Sequence, residues 1–164
     1  MEEVRYCTPE WLEACAKAYS SSPKYEEALK KLSTMICYRV KATPEWGIDD
    51  DLIFGAAVDK GVLLEIGFFS EADAKERADF IMAATPQQWK RLLVKEGKFV
   101  ADLMTGKVSL EHGSKVGAIG LAPYADSFIA ALTAVPLEFQ DEMSPEEVEA
   151  YRSYVSEFRA ELGV

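Results

Sequence analysis

The chain has 164 residues, and its 28 Asp and Glu outnumber its 18 Lys and Arg, which gives a formal net charge of −10 and a pI near 4.7. This charge argues against binding to nucleic acid or to an anionic membrane surface, because polyanions are repelled. The length fits one domain that buries roughly 70% of the surface its unfolded chain exposes. Such a domain can enclose a core with room for a cavity.

Two helix starts open the chain. Thr8-Pro9 and Ser22-Pro23 each combine an N-cap hydroxyl with a proline in the first turn, where the missing N–H is not needed. Apolar residues follow at helical spacing: Trp11, Leu12, Cys15 and Tyr19 in the first segment, and Tyr25, Ala28, Leu29 and Leu32 in the second. We predict two amphipathic helices that pack on the domain.

A strand is predicted over residues 34–42, where apolar side chains alternate with Cys37, Arg39 and Lys41. Because one face of such a strand is polar, these three side chains are expected to point outward. Residues 43–51 follow as a loop that contains proline, glycine and three consecutive aspartates.

A β-hairpin is predicted next. Residues 52–58 and 62–69 are its apolar arms, and residues 59–61, Asp-Lys-Gly, form its tight turn. Gly55 and Ala57 make one side of the first arm small, which predicts free space beside that side.

Residues 70–85 are ambiguous. Residues 70–73, Ser-Glu-Ala-Asp, are able to cap a helix, but Phe80 and Met82 lie two apart, as on one face of a strand. We predict a turn over residues 70–74 followed by a strand.

A helix with a clear start comes after this strand. Thr85-Pro86 is the predicted N-cap and first position, and Gly97 is the predicted stop. The apolar stripe of this helix consists of Trp89, Leu92 and Leu93. A second short helix over residues 99–104 and an alternating strand through Val108 and Leu110 complete the segment.

This order of elements resembles the type 2 sterol carrier protein family, also called non-specific lipid-transfer proteins. The similarity rests on a strand, a helix that carries Trp89, and a short helix that ends in Leu-Met-Thr-Gly-Lys at residues 103–107 before an alternating strand. It is clearest over residues 78–135 and weaker back to Leu32. Gly97 falls about two positions later than the helix-ending glycine of the family.

The resemblance implies an α/β (α+β) fold in which helices cover a five-stranded, largely antiparallel sheet, here with an extra C-terminal helix. It also implies that the strand near Phe80 pairs with residues 62–69. In the family, a tunnel between the sheet and the helices takes sterols, fatty acyl chains or acyl-CoA esters.

The longest apolar stretch covers residues 116–137. Pro123 and Asp126 interrupt it, and a carboxylate at the centre of a bilayer costs about 2.5 to 3.5 kcal/mol. We therefore predict no stable membrane insertion but a buried helix from about Pro123 to about Val135. The residues on its apolar face are Ala125, Phe128, Ile129 and Leu132.

The tail begins with an acidic linker over residues 136–143. Residues 144–147, Ser-Pro-Glu-Glu, form a capping box that opens a last helix. Its apolar stripe is Val148, Tyr151, Val155, Phe158 and Leu162. The stripe is expected to dock on the domain's own surface; the alternatives are a lid over a pocket mouth and a homodimer contact.

We divide the chain into a sterol-carrier-like lipid-binding domain over residues 1–138, with residues 32–135 as the family core, and a linker with the C-terminal helix over residues 139–164.

The three cysteines, Cys7, Cys15 and Cys37, are odd in number and lack metal-ligand spacing, which favours buried, reduced thiols and a cytoplasmic location. The first six residues are acidic and lack the apolar core of a signal peptide.

No motif indicates catalysis. His112 is the single histidine and is predicted in a turn after a strand, with no nucleophile beside it. Residues 49–51 are three aspartates without the spacing of a calcium loop, and no phosphate-binding glycine motif is present. We predict a protein that is not an enzyme, with no catalytic residues, no cofactor and no metal.

The predicted ligand-binding residues are the apolar side chains of the family-like segment and the late helix. They are Phe80, Met82, Trp89, Leu92, Leu93, Phe99, Leu103, Met104, Phe128, Ile129 and Leu132. Composition alone does not separate such a lining from an ordinary core, and methionine suits either because its side chain adapts to shape.

Cations cluster around the Trp89 helix despite the acidic balance. We interpret these cations as a solvated face near a helix C-terminus, where the helix dipole favours positive charge. They are Lys90, Arg91, Lys95 and Lys98. The alternative is that Lys90 and Arg91 hold the charged headgroup of a ligand.

The function that these patterns and the resemblance favour is binding of a sterol, fatty acid or fatty acyl-CoA in an apolar tunnel, for carriage or buffering in the cytoplasm. The second hypothesis is a non-catalytic interaction or dimerisation module associated with another enzyme. An enzyme acting on an acyl thioester is the third, and no set of catalytic residues supports it.

Overall fold

The computed structural model describes residues 2–164. The α-helices are α1 Pro9–Ser21, α2 Pro23–Ala28, α3 Glu71–Arg77, α4 Pro86–Leu93, α5 Phe99–Thr105, α6 Lys115–Ile119, α7 Ala125–Leu132 and α8 Pro145–Leu162. The strands are β1 Val4–Arg5, β2 Thr34–Val40, β3 Leu52–Asp59, β4 Val62–Phe68, β5 Phe80–Ala84, β6 Ser109–His112 and β7 Leu137–Glu138.

The main sheet has five strands in the order β4-β3-β2-β5-β6. Only the β2–β5 pair is parallel; β3 is antiparallel to both β2 and β4, and β5 is antiparallel to β6. This confirms the predicted largely antiparallel, five-stranded sheet and the hairpin, in which Asp59 is opposite Val62 and Gly61 takes the positive φ of the turn.

The prediction for residues 70–85 is wrong in two respects. Residues 70–74 are not a turn: the Ser70 hydroxyl accepts a hydrogen bond of 3.2 Å from the Asp73 N–H and caps α3. The strand that follows, β5, does not pair with residues 62–69. The hairpin of β3 and β4 occupies one edge of β2, so β5 pairs with the other edge. Because β5 runs parallel to β2, the chain needs a long crossover between them, which β3, β4 and α3 supply.

The second face of the sheet is covered by α3, which corrects the expectation that the second face of β2 points outward. Cys37 has no accessible surface and lies in a small apolar cluster beneath α3 with Ile53, Phe69 and Ile81. The predicted free space beside Gly55 is also wrong, because a Cβ there would lie 2.7 Å from the Cys37 Sγ.

Arg39, also expected to point outward, is an ion-pairing centre on this second face, with a side chain only 12% exposed. Its Nε lies 2.8 Å from Glu111, its Nη1 lies 3.3 Å from Asp51, and its Nη2 contacts Glu71. These carboxylates come from the loop before β3, from α3 and from β6, so one guanidinium joins three elements.

The N-terminal segment packs against β7 and α8, which follow the main sheet in sequence. Strand β1 pairs in parallel with β7, with Val4 opposite Leu137. The Tyr151 hydroxyl of α8 donates a hydrogen bond of 2.8 Å to the carbonyl oxygen of Cys7. Helix α8 buries the middle of its apolar stripe against the main core, as expected, and Leu162 at its end is exposed.

The late helix differs from its prediction. Instead of one buried helix over residues 123–135, the chain forms a 3-10 turn at Ala122–Tyr124 and then α7, which has no fully buried residue. It ends at Leu132, because the backbone of the C-cap residue Thr133 leaves the helical conformation, with φ of −112° and ψ of 19°. Helix α7 is therefore a half-exposed cover over the sheet.

Candidate functional site

An apolar cavity of about 60 Å³, here called the Trp89 cavity, lies between the first face of the sheet and the helices. Its lining consists of Tyr6, Ile36, Tyr38, Phe54, Met82, Trp89, Leu92, Leu93, Phe99, Leu121, Ala125, Phe128, Ile129 and Leu132. The sheet contributes Ile36 and Tyr38, which lie two apart on one face of β2, together with Phe54 of β3 and Met82 of β5.

Helix α4 is fixed against the sheet through Trp89. The Thr85 hydroxyl caps the helix by accepting a hydrogen bond from the Gln88 N–H at 3.2 Å. The indole N–H of Trp89 donates a bond of 3.0 Å to the carbonyl oxygen of Arg39 in β2, and its ring meets Tyr38 edge-on at 5.5 Å. The side chain that marked this helix in the sequence is therefore a rigid part of the cavity wall.

A second apolar cavity of about 60 Å³, here called the Tyr19 cavity, lies beside the first. The residues that line both cavities are Ile36, Tyr38, Phe54, Phe128 and Leu132. Tyr19 bounds the second cavity, and its hydroxyl donates a hydrogen bond to the carbonyl oxygen of Gly61 at the hairpin turn. Five shared side chains therefore form the partition between two neighbouring spaces.

Each cavity is small. A water molecule occupies about 30 Å³ in the liquid, whereas pockets for small-molecule ligands have about 300 to 1,000 Å³. Neither space holds a sterol or an acyl chain as it stands. A ligand of that size requires the partition and the helical cover to move.

The structure brings eight of the eleven predicted ligand-binding residues together in the Trp89 cavity. They are Met82, Trp89, Leu92, Leu93, Phe99, Phe128, Ile129 and Leu132. The other three lie elsewhere. Phe80 packs beside Gly113 and Gly117, Leu103 is buried in the core outside the lining, and Met104 is 59% exposed.

The other six lining residues were not predicted from the sequence; they are Tyr6, Ile36, Tyr38, Phe54, Leu121 and Ala125. The alternation of β2 and β3 already placed Ile36, Tyr38 and Phe54 on apolar strand faces. Nothing local marks Tyr6, because it reaches the cavity only through the pairing of β1 with β7.

The two predicted headgroup cations differ in environment. Lys90 Nζ lies 3.0 Å from Asp141 and 3.9 Å from Glu142, and it stands over the Phe139 ring at 4.9 Å. Its charge is thus already balanced by the segment before α8. Arg91, on the same helix, is half-buried and makes no ion pair with any residue in the range 2–164.

No charged side chain lines either cavity in the part of the chain that the structure describes. The polar side-chain atoms of the Trp89 cavity lining are the hydroxyls of Tyr6 and Tyr38 and the bonded indole N–H of Trp89. Burial raises the pKa of the Tyr6 hydroxyl well above its usual value of 10.0, and burial raises the pKa of Tyr38 as well. Both phenols therefore stay neutral at physiological pH.

Among the described residues, 2–164, no three or more His, Cys, Asp or Glu side chains are grouped to hold a metal ion. None of the helices in that range has the length and apolarity needed to cross a membrane.

No protein-family model and no curated protein sequence matches the chain. Solved structures are similar to it. A conserved hypothetical protein from Thermus thermophilus, described as a candidate sterol carrier protein, is 20% identical with a TM-score of 0.68, and the match covers 84% of this chain and 94% of that one.

Two further structures are similar. A crystal structure of sterol carrier protein 2 is 21% identical with a TM-score of 0.61, and covers 77% of this chain and 93% of its own. Sterol carrier protein 2 from Yarrowia lipolytica in its apo form is 15% identical with a TM-score of 0.53, and covers 72% of this chain and 86% of its own. The predicted resemblance is confirmed at the level of fold: the chain has the fold of the sterol carrier proteins.

Proposed function

We propose that the chain binds one hydrophobic small molecule, a sterol, fatty acid or fatty acyl-CoA, between the sheet and α7, and that it carries or buffers this molecule in the cytoplasm without transforming it. The observation that carries the proposal is the pair of adjoining, wholly uncharged cavities between the sheet and its helical cover. A core that had only to be stable would close such spaces, because empty volume costs packing energy.

Helix α7 is the element that would move on binding. It supplies Phe128 and Leu132 to the partition between the two cavities, yet none of its residues is fully buried. Outward movement of α7 would merge the two cavities and break few buried contacts. Contacts with the apolar surface of a ligand would replace them. The bound state is thus a rearranged minor state that the ligand makes dominant.

The carrier hypothesis has more support than the interaction module. A dimer built on the stripe of α8 needs that stripe exposed, but Tyr151, Val155 and Phe158 are buried against the chain's own core. Among residues 2–164, the lining of the Trp89 cavity includes no carboxylate, histidine or lysine that would act on an acyl thioester.

Filling the cavity tests the proposal. Ala125 lines the Trp89 cavity and Ala130 is exposed on the same helix. The experiment measures the binding of a fluorescent fatty acid and its displacement by sterols and fatty acids in the wild type, Ala125→Phe and Ala130→Phe. We expect Ala125→Phe to weaken saturable binding at least about 10-fold, because the phenyl ring occupies the ligand's space.

Ala130→Phe makes the same change at an exposed position and is expected to keep the wild-type affinity. Equal affinity in all three proteins would contradict binding in this cavity. Absence of saturable binding to the wild type would contradict the proposed function itself.

A further inference from the structure

Tyr6 differs from every other residue of the cavity wall in one respect. It has no accessible surface, and its hydroxyl has no hydrogen-bond partner among residues 2–164. Its ring is held in place by Trp11 at 5.0 Å and Phe139 at 5.1 Å, and its backbone N–H and carbonyl are both bonded. A fixed, buried hydroxyl without a partner loses its bonds to water and gains none in return.

Other buried tyrosines of this chain satisfy their hydroxyls. Tyr151 donates to the carbonyl oxygen of Cys7 at 2.8 Å, and Tyr19 donates to the carbonyl oxygen of Gly61. Tyr38, the other tyrosine of the Trp89 cavity, is only half-buried. Among the buried side-chain atoms without a partner in residues 2–164, the Tyr6 hydroxyl is the one in the wall of the candidate ligand site. The others are Gln88 Oε1, Asp102 Oδ2 and Gln140 Oε1, and their residues line neither cavity.

The lining also limits which polar groups a ligand of the Trp89 cavity can have. No cationic side chain of the described residues lines either cavity, so a carboxylate or phosphate placed inside would lose its hydration with no compensating charge. A neutral hydroxyl or carbonyl needs one hydrogen bond, and a phenol both donates and accepts. The high pKa of Tyr6 keeps that donor proton in place.

We propose that the Tyr6 hydroxyl is the polar anchor of the cavity and that the preferred ligand is an apolar molecule with one uncharged hydroxyl or carbonyl group, which hydrogen-bonds to it. This inference rests on the proposed function and narrows its ligand class. A charged headgroup would have to remain outside the cavity. Expansion of the cavity by the ligand brings the polar group to the hydroxyl that the closed protein leaves unbonded.

A series of ligands that share one chain tests the anchor. Dodecane, 1-dodecanol and dodecanoate compete for the cavity with N-phenyl-1-naphthylamine, an uncharged fluorescent probe, in the wild type and in Tyr6→Phe. We expect the wild type to bind the alcohol about 5-fold more tightly than the alkane, the effect of one net hydrogen bond. Tyr6→Phe is expected to lose this preference and to keep the wild-type affinity for dodecane and dodecanoate.

Two controls accompany the variant. Tyr151→Phe removes a buried hydroxyl that lines neither cavity, so it should keep the alcohol preference and unfold at a lower urea concentration. Ligand-free Tyr6→Phe should unfold at the same urea concentration as the wild type or a higher one, because it removes an unsatisfied group. Markedly earlier unfolding would show that the hydroxyl already has a partner and would overturn the proposal.

The results of these binding measurements test the anchor role of Tyr6 separately from the proposed function. Three results would overturn the anchor role of Tyr6 but leave a lipid-binding cavity. They are an unchanged alcohol preference in Tyr6→Phe, loss of the preference in Tyr38→Phe instead, and equally weakened binding of the alcohol and the alkane in Tyr6→Phe. Failure of the probe and of all three ligands to bind the wild type would overturn both.

Discussion

The indole N–H of Trp11 donates a hydrogen bond of 2.9 Å to the carbonyl oxygen of Leu132, the last residue of α7. The Cys15 thiol, one turn further along α1, lies 3.5 Å from the same oxygen. The Leu132 side chain lines both cavities. Helix α1 therefore holds the end of the helix that covers the two cavities, and we expect the strength of this contact to set how readily α7 moves.

Weakening this contact should loosen α7. Trp11→Phe removes the donor and leaves a small void at a fully buried position, so we expect a loss of about 2 to 3 kcal/mol in the free energy of unfolding. We also expect faster hydrogen exchange of the α7 amides. Urea unfolding and exchange measured by mass spectrometry check the two effects.

Trp46→Phe is the matched control, because Trp46 is also buried but belongs to the loop before β3 and lines neither cavity. It should lower stability without a specific effect on α7. Equal exchange rates in α7 for both variants would contradict the anchoring role of Trp11.

Arg39 should control the acid titration of Glu71. The Arg39 hydrogen bond and charge lower the pKa of the Glu71 carboxyl below its usual value of 4.5. A depressed folded-state pKa gives stability that is present above pH 4.5 and is lost as the pH falls through the lowered value. In Arg39→Met we expect the pKa of Glu71, followed by NMR, to return to its usual value, and the acid loss of stability to diminish.

Lys75→Met is the control for this titration, since Lys75 lies 4.0 Å from the same carboxylate and is well exposed. It should move the pKa of Glu71 much less. Shifts of equal size in the two variants would mean that general positive charge, rather than the bonded guanidinium, sets this pKa.

Charge reversal on α4 tests the headgroup hypothesis. We expect the Lys90→Glu and Arg91→Glu double variant to weaken binding of an acyl-CoA about 3- to 10-fold, the size expected for charges that solvent screens, and to leave the binding of an uncharged sterol unchanged. Isothermal titration with both ligands measures the difference. Because Lys90 also pairs with Asp141, Arg91→Glu alone is the cleaner variant. Equal weakening of both ligands would count against a headgroup role.

The buried thiols predict alkaline sensitivity. Burial raises the pKa of Cys7 and of Cys15 from 9.0 to about 12. The unfolded chain therefore releases these protons first, and stability is full below pH 9 and falls as the pH rises toward 12. The slope should be up to about 1.4 kcal/mol per pH unit for each thiol. Urea unfolding at pH 8 and pH 10 should show a smaller loss in Cys7→Ala than in the wild type, and equal losses would contradict this origin.

The sequence predicted elements whose signals are local. The Thr85 hydroxyl and Pro86 that start α4, the alternation in β2 and β3 and the turn between β3 and β4 are each signals within a few residues. The helix, both strands and the turn are confirmed. The partner of β5 was not predictable in this way, because apolar alternation shows that a strand exists but not which edge it joins.

The candidate site shows the same limit. Met104 and Leu103 are both apolar and adjacent on α5, yet one is 59% exposed and the other is buried, since a helix of seven residues does not define its inner face by pattern alone. Tyr6 contributes to the wall through contacts with Phe139, which lies more than a hundred residues away in sequence. Only the folded chain brings these rings together.

Native mass spectrometry of the protein purified directly from its expression host, compared with the same sample after denaturing extraction, is the most direct test of the central claim. We expect a stoichiometric apolar mass that is bound to the folded protein and lost on denaturation. A clean ligand-free mass, together with no saturable displacement of a fluorescent fatty acid by any lipid tried, would show that the two cavities are core packing and would contradict the proposed carrier function.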